Sequence, residues 1–308
     1  SVEDGFRGTI ILENVSLAGE RGIPCIDIGK KCNVNLQITG ENELRTGGIR
    51  VPDSSVLTVV GDGNLTINLN SGKYFGIGNS LDEYHGELNF YQDGGIIINA
   101  NGMKGIGIGS GLGGVINIKR GHYEFDMKGQ EGACIGSVNG DSELFIEYCD
   151  MDIYSGISNG TIIGSVNGDA DIKLENISAK IQGAGNVITG IGTIAGNSCM
   201  VRLENVNISS NIRAKECYGI GCRAGRTDIY IGYAAVKSVV QGKSAVAFGN
   251  SVMSAKLYCS NADVGTNAVT EFNSDIGALE KNIQLENGRA EFILNGQEVK
   301  RQILAARL

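Results

Sequence analysis

Apolar and polar residues alternate at period two in Ile172-Lys173-Leu174, Val201-Arg202-Leu203, Ile229-Tyr230-Ile231 and Lys256-Leu257-Tyr258, the spacing of strands with one buried face. No segment has helical spacing. The strands follow a fixed order of short apolar strand, polar turn, second apolar strand and Gly-rich turn. Each cycle closes on the same kind of triplet: Ile77-Gly78-Asn79, Ile108-Gly109-Ser110, Ile135-Gly136-Ser137, Ile163-Gly164-Ser165, Ile191-Gly192-Thr193, Ile220-Gly221-Cys222 and Phe248-Gly249-Asn250. Successive glycines are 31, 27, 28, 28, 29 and 28 residues apart, which marks a repeated structural unit. These glycines are expected to be turn points where a residue without Cβ lets the coils stack.

The turns are too short for a crossover helix. The expected fold is therefore all-β, a single-stranded right-handed parallel β-helix with coils at the inter-strand spacing of roughly 4.8 Å. Ile26-Asp27-Ile28-Gly29 and Gly48-Ile49-Arg50-Val51 extend the series toward the N-terminus, for about ten coils and a rod on the order of 50 Å long. The repeat fails after about residue 270, so we divide the chain into a β-helix over 1–270 and a C-terminal capping segment over 271–308. Leu12-Glu13-Asn14-Val15, Leu174-Glu175-Asn176-Ile177 and Leu203-Glu204-Asn205-Val206 are near copies. Asn tolerates a left-handed bend and can bond the same residue one coil away, so Asn14, Asn176 and Asn205 are expected to form a structural ladder.

Composition narrows the partners. The net charge is -8 and no Lys/Arg run is present, which disfavours nucleic acid. No apolar stretch approaches the roughly 18 residues that span a bilayer, and Ser1-Val2-Glu3-Asp4 does not open a signal peptide. The chain reads as soluble, and as a mature or trimmed fragment. The eight cysteines include no CxxC and fall at different offsets from the repeat glycine, so free, mostly buried thiols are expected.

The Gly105-Ile106-Gly107-Ile108-Gly109-Ser110-Gly111 turn, followed by Val115-Ile116-Asn117-Ile118-Lys119-Arg120-Gly121, resembles the repeats of right-handed parallel β-helix proteins from Gram-positive bacterial cell surfaces. The segments Pro24-Cys25-Ile26-Asp27-Ile28-Gly29, Leu36-Gln37-Ile38-Thr39-Gly40-Glu41-Asn42, Val51-Pro52 and Thr58-Val59-Val60-Gly61-Asp62-Gly63 are similar to carbohydrate-binding β-helices related to polysaccharide lyases. The resemblance covers roughly residues 8–265. It implies a bacterial extracellular or cell-surface setting and a polysaccharide or surface glycan as partner. It carries no catalytic signature.

Local function is expected where the repeat is broken or decorated. Ser137-Val138-Asn139-Gly140-Asp141 and Ser165-Val166-Asn167-Gly168-Asp169 are equivalent, so Asp141 and Asp169 should lie on adjacent coils. They would share a proton or bind a hard cation such as calcium, or simply finish a tight Asn-Gly-Asp turn. The same offset from the repeat glycine selects Glu83, Gly114, Asn197 and Arg226. The longest interval holds a widened loop, Asn79-Ser80-Leu81-Asp82-Glu83-Tyr84-His85-Gly86, in which Asp82, Glu83 and Tyr84 are candidate ligand contacts and His85 a candidate base. Tyr91, Tyr123 and Tyr148 fall in the second half of successive coils, as a sugar-stacking stripe or as a self-packing stack.

Three functions follow. The first is a non-catalytic carbohydrate-binding or adhesion module that recognises a polysaccharide along one face. The second is a polysaccharide lyase or glycoside hydrolase using Asp141 and Asp169, with Arg226 or His85 assisting. The third is a ligand-free stalk.

Overall fold

A computed structural model describes residues 1–20, 22–69, 75–272 and 283–304. The strands wind into one parallel β-solenoid of about ten turns, each stacked on the last in register. The period-two alternation explains the core. On the first face the inward residues Val34, Leu57, Leu88, Ile116, Leu144, Ile172, Val201, Ile229 and Leu257 are successive register partners, and all are buried. An aliphatic side chain thus packs on its counterpart above and below through the rod. Each layer removes its apolar surface from water and fixes the register, because a one-residue slip would turn the whole row outward.

Three faces alternate around each turn. The first includes Arg7–Glu13, Asn33–Thr39, Val56–Gly61, Ser142–Glu147, Ala170–Glu175 and Ser198–Glu204. The second includes Ser16–Ala18, Glu41–Arg45 and Asn64–Leu69, and the third includes Ile26–Asp27, Ile49–Arg50 and Ile77–Gly78. In the middle of the rod the corner between the second and third faces is a bend within one strand, as in Cys149–Ser165 and Ser178–Thr193. Among the described residues no helix is long and apolar enough to cross a membrane.

The repeated triplet stands at the end of the third face, and each of its positions has a separate duty. The Ile residues are fully buried and stack. Gly109, Gly136, Gly164, Gly192 and Gly221 all have φ between 129° and 135°. A Cβ on Gly164 would lie 1.9 Å from the Gly192 carbonyl oxygen of the next coil, so glycine is required for space as well as for conformation. The third position, Ser110, Ser137, Ser165, Thr193, Cys222 or Asn250, is buried and polar where hydroxyl or amide. It ties down the turn of the preceding coil: Ser165 Oγ donates to the Gly140 carbonyl at 2.7 Å and Thr193 Oγ1 to that of Gly168 at 2.7 Å.

The corner between the first and second faces is a column of left-handed residues, including Asn14, Tyr148, Asn176, Asn205, Tyr233 and Asn261, with φ from 46° to 54°. The expected asparagine ladder is present at Asn176 and Asn205, whereas Asn14 bonds the backbone of the next coil. Asn205 Nδ2 donates to Asn176 Oδ1 at 2.5 Å, and Asn14 Oδ1 accepts from the Glu41 amide at 3.1 Å. All eight cysteines are free, and only Cys25 is not buried.

Part of the segment assigned to the cap, 273–282 and 305–308, lies outside the described residues. Ile283–Leu294 adds another parallel rung on Ala255–Phe272, and Gln297–Leu304 returns antiparallel along its outer edge. The unpaired donors and acceptors that a last parallel strand leaves open are thereby engaged over that edge.

Candidate functional site

The turns that carry Asp141 and Asp169 are built from the buried serines. Ser137 Oγ donates to the Gly140 carbonyl at 2.5 Å, while Ser165 Oγ accepts from the Gly168 amide at 2.8 Å. Each turn is held by the serine three residues before its glycine, and the aspartate that follows projects from the turn. The two aspartates then link the coils. Asp141 Oδ1 accepts from the Asp169 amide at 2.8 Å, and Asp169 Oδ1 accepts from the amides of Asn197 and Ser198 at 2.7 and 3.0 Å. One oxygen of each carboxylate is thus occupied by the backbone of the next coil. Beside them, Asn167 Nδ2 donates to Asn139 Oδ1 at 3.3 Å. Among the described residues no group of three or more His, Cys, Asp or Glu side chains could hold a metal ion.

The column differs from the one obtained by counting from the repeat glycine. Gly114 pairs with Ser142 and Ser198 pairs with Arg226, so the row through Asp141 and Asp169 contains Gly113, Ser198 and Arg226, not Gly114 and Asn197. Unequal coil lengths cause the shift: loops absorb the extra or missing residue before the count reaches the turn. Arg226 sits two coils from Asp169, about 10 Å at the backbone, and its Nε pairs with Asp228 at 2.8 Å. It does not bridge the two acids.

The widened loop divides. Asp82, Glu83 and Tyr84 are exposed, Tyr84 at 56%. Glu83 accepts from Ser80 Oγ at 2.5 Å. His85 is buried instead, its Nδ1 at 2.6 Å from the Gly86 carbonyl and its ring against Gly114, where a Cβ would come within 2.6 Å. The lack of a side chain on Gly114 makes room for the imidazole. Burial disfavours its charged form and lowers the pKa to about 4, only partly offset by the bond to Gly86. The ring is a neutral packing element at neutral pH.

The three tyrosines do not form a stripe. Tyr123 is fully buried, edge-on to Phe90 at 6.3 Å, with its hydroxyl donating to the Arg120 carbonyl at 3.0 Å. It belongs to the core, and its aromatic partner is Phe90, so neither a sugar-stacking stripe nor a stack of the three tyrosines describes it. Tyr91 is partly exposed and pairs in register with Arg120. Tyr148 occupies the left-handed corner, 62% exposed.

Tyr84 and the aspartate column meet. An open groove of about 730 Å³ is lined by Tyr84, Asn139, Asp141, Glu143, Asp169 and Asp171, with Leu112, Val115 and Met200 adding apolar surface. It crosses the four coils that contribute Gly114, Ser142, Ala170 and Ser198. Glu143 and Asp171 escaped the sequence reasoning although a signal was available. Each lies two residues after its column aspartate, hence outward on the same strand, and the two are register partners. Two further grooves of about 250 and 510 Å³ lie on the second face, around Glu124, Asp152 and Tyr154 and around Asn207, Lys237 and Arg289.

Compared with known proteins, the chain matches no family model, no curated protein and no solved structure.

Proposed function

We propose that the chain is a carbohydrate-binding module that holds a polysaccharide, without cleaving it, in the groove beginning at Tyr84. The observation that carries this is the convergence of an exposed aromatic ring with Asn139, Asp141 and Asp169 in one open groove across four coils. Sugar rings pack their C–H faces on aromatic rings, while their hydroxyls donate to fixed carboxylate and amide oxygens. The aspartates are held by the next coil, so little side-chain freedom is lost on binding. The two groups expected to assist catalysis are withdrawn from the groove, since His85 is buried and Arg226 is engaged with Asp228.

Affinity electrophoresis through gels containing neutral, amino and acidic polysaccharides tests the proposal. At least one gel should retard the protein, and Tyr84→Ala should abolish the retardation. Unretarded migration in every gel, or release of reducing ends or unsaturated products that Asp141→Ala abolishes, would overturn it. The resemblance to surface β-helix proteins extends the proposal to the bacterial cell exterior, where the protein should be labelled by a membrane-impermeant reagent on intact cells.

A further inference from the structure

The groove presents four carboxylates as a two-by-two array. Asp141 and Asp169 occupy one row on adjacent coils, and Glu143 and Asp171 occupy the next outward row. Coils are roughly 4.8 Å apart, and outward residues of one strand roughly 6.6 Å. Like charges directly opposite each other on neighbouring strands oppose folding. The surrounding cations relieve little of this. Arg202 Nη1 pairs with Asp171 at 2.7 Å, while Lys173 is taken by Glu175 and Arg226 by Asp228. Among the described residues no ion pair involves Asp141, Glu143 or Asp169. Among the described residues no cationic side chain lines the groove.

We infer that the groove selects a glycan bearing protonated amino groups, a polymer of deacetylated hexosamine, and rejects uronate polymers. This rests on the glycan-binding proposal above and adds to it the charge of the ligand. An ammonium group between the rows would donate charge-assisted hydrogen bonds to the carboxylate oxygens that the backbone leaves free. Tyr84 at the end of the array supplies a stacking surface for the ring. A uronate would meet three uncompensated negative charges with no cation to receive it.

Isothermal titration calorimetry with hexamers of glucosamine, N-acetylglucosamine and galacturonate, and with hexalysine, tests this on the full chain. The glucosamine hexamer should bind tightest, and more weakly as salt rises. The double variant Asp141→Asn/Asp169→Asn should bind it about tenfold more weakly or worse. Asn keeps an Oδ1 acceptor for the amides of the next coil, and an unchanged thermal midpoint verifies that the variant is folded. Tyr84-dependent binding of the N-acetylated or galacturonate hexamer at equal or higher affinity overturns the inference and leaves the glycan-binding proposal intact. Hexalysine binding as tightly as the glucosamine hexamer overturns it as well, since the surface would then recognise charge without sugar. Failure of every oligosaccharide overturns the inference, while the glycan-binding proposal falls only if no polysaccharide gel retards the protein.

Discussion

Replacing Gly164 by alanine should be among the most damaging single-methyl additions available to this chain. The φ of Gly164 is 133°, and an added Cβ would lie 1.9 Å from the Gly192 carbonyl oxygen. The obstacle is backbone of the next coil, not a side chain that can rotate away. The conformation alone costs an L-residue about 1–3 kcal/mol. Relieving the overlap requires the two coils to part by more than an ångström, which breaks the adjoining ladder bonds at about 1 kcal/mol each. The sum is about 3–5 kcal/mol, in the range reserved for defined structural lesions. Gly265→Ala is the control, because its Cβ would meet nothing within 4 Å and its φ is not in the left-handed region. That change should be neutral or stabilise by about 0.4–1 kcal/mol through the unfolded chain. Urea denaturation followed by far-ultraviolet circular dichroism measures both, and limited proteolysis locates any loosening to the coils around residue 164. Equal midpoints for the two variants would refute the claim that the glycine column sets the inter-coil contact.

Two other predictions concern buried titrating groups. Burial pushes Cys149 and Cys259 up to about 12 and Cys217 and Cys222 up to about 11, so native protein treated with iodoacetamide at pH 8 should be modified at Cys25 alone, and at all eight sites in denaturant, as read by peptide mass spectrometry. His85 titrates near pH 4 in the fold and near 6.5 when unfolded. Between those values the unfolded chain binds the extra proton, so stability falls as pH drops through that window, by about 3 kcal/mol in total. His85→Phe should flatten the slope in denaturant titrations from pH 7 to pH 4, and an unchanged slope would show that the imidazole is not what destabilises the fold in acid.

The architecture was legible because its signal recurs. Ile163-Gly164-Ser165 and its counterparts mark the same corner each time, and the positive φ of those glycines is what the triplet implied. The Asn176 and Asn205 ladder was legible for the same reason. Lateral detail was less so. Offsets counted from a glycine hold only while coils have equal length, and the 27-residue interval before Gly136 displaced Gly114 from the row it was assigned. The same counting placed Tyr123 beside Tyr148, although the pleat directs Tyr123 inward onto Phe90. Tyr84 and Asp141 share a groove because a loop reaches over the coils that follow it, a relation that no single repeat encodes.

The backbone of the rod also acts as a ruler. Row positions such as Asp141 and Asp169 are separated by one coil and can be moved only in whole-coil steps, because the glycine column and the buried serines reject intermediate spacings. Inserting or deleting one complete coil would therefore lengthen or shorten the groove by one fixed increment, with the same core contacts above and below. The length of the groove is thus a whole number of coils.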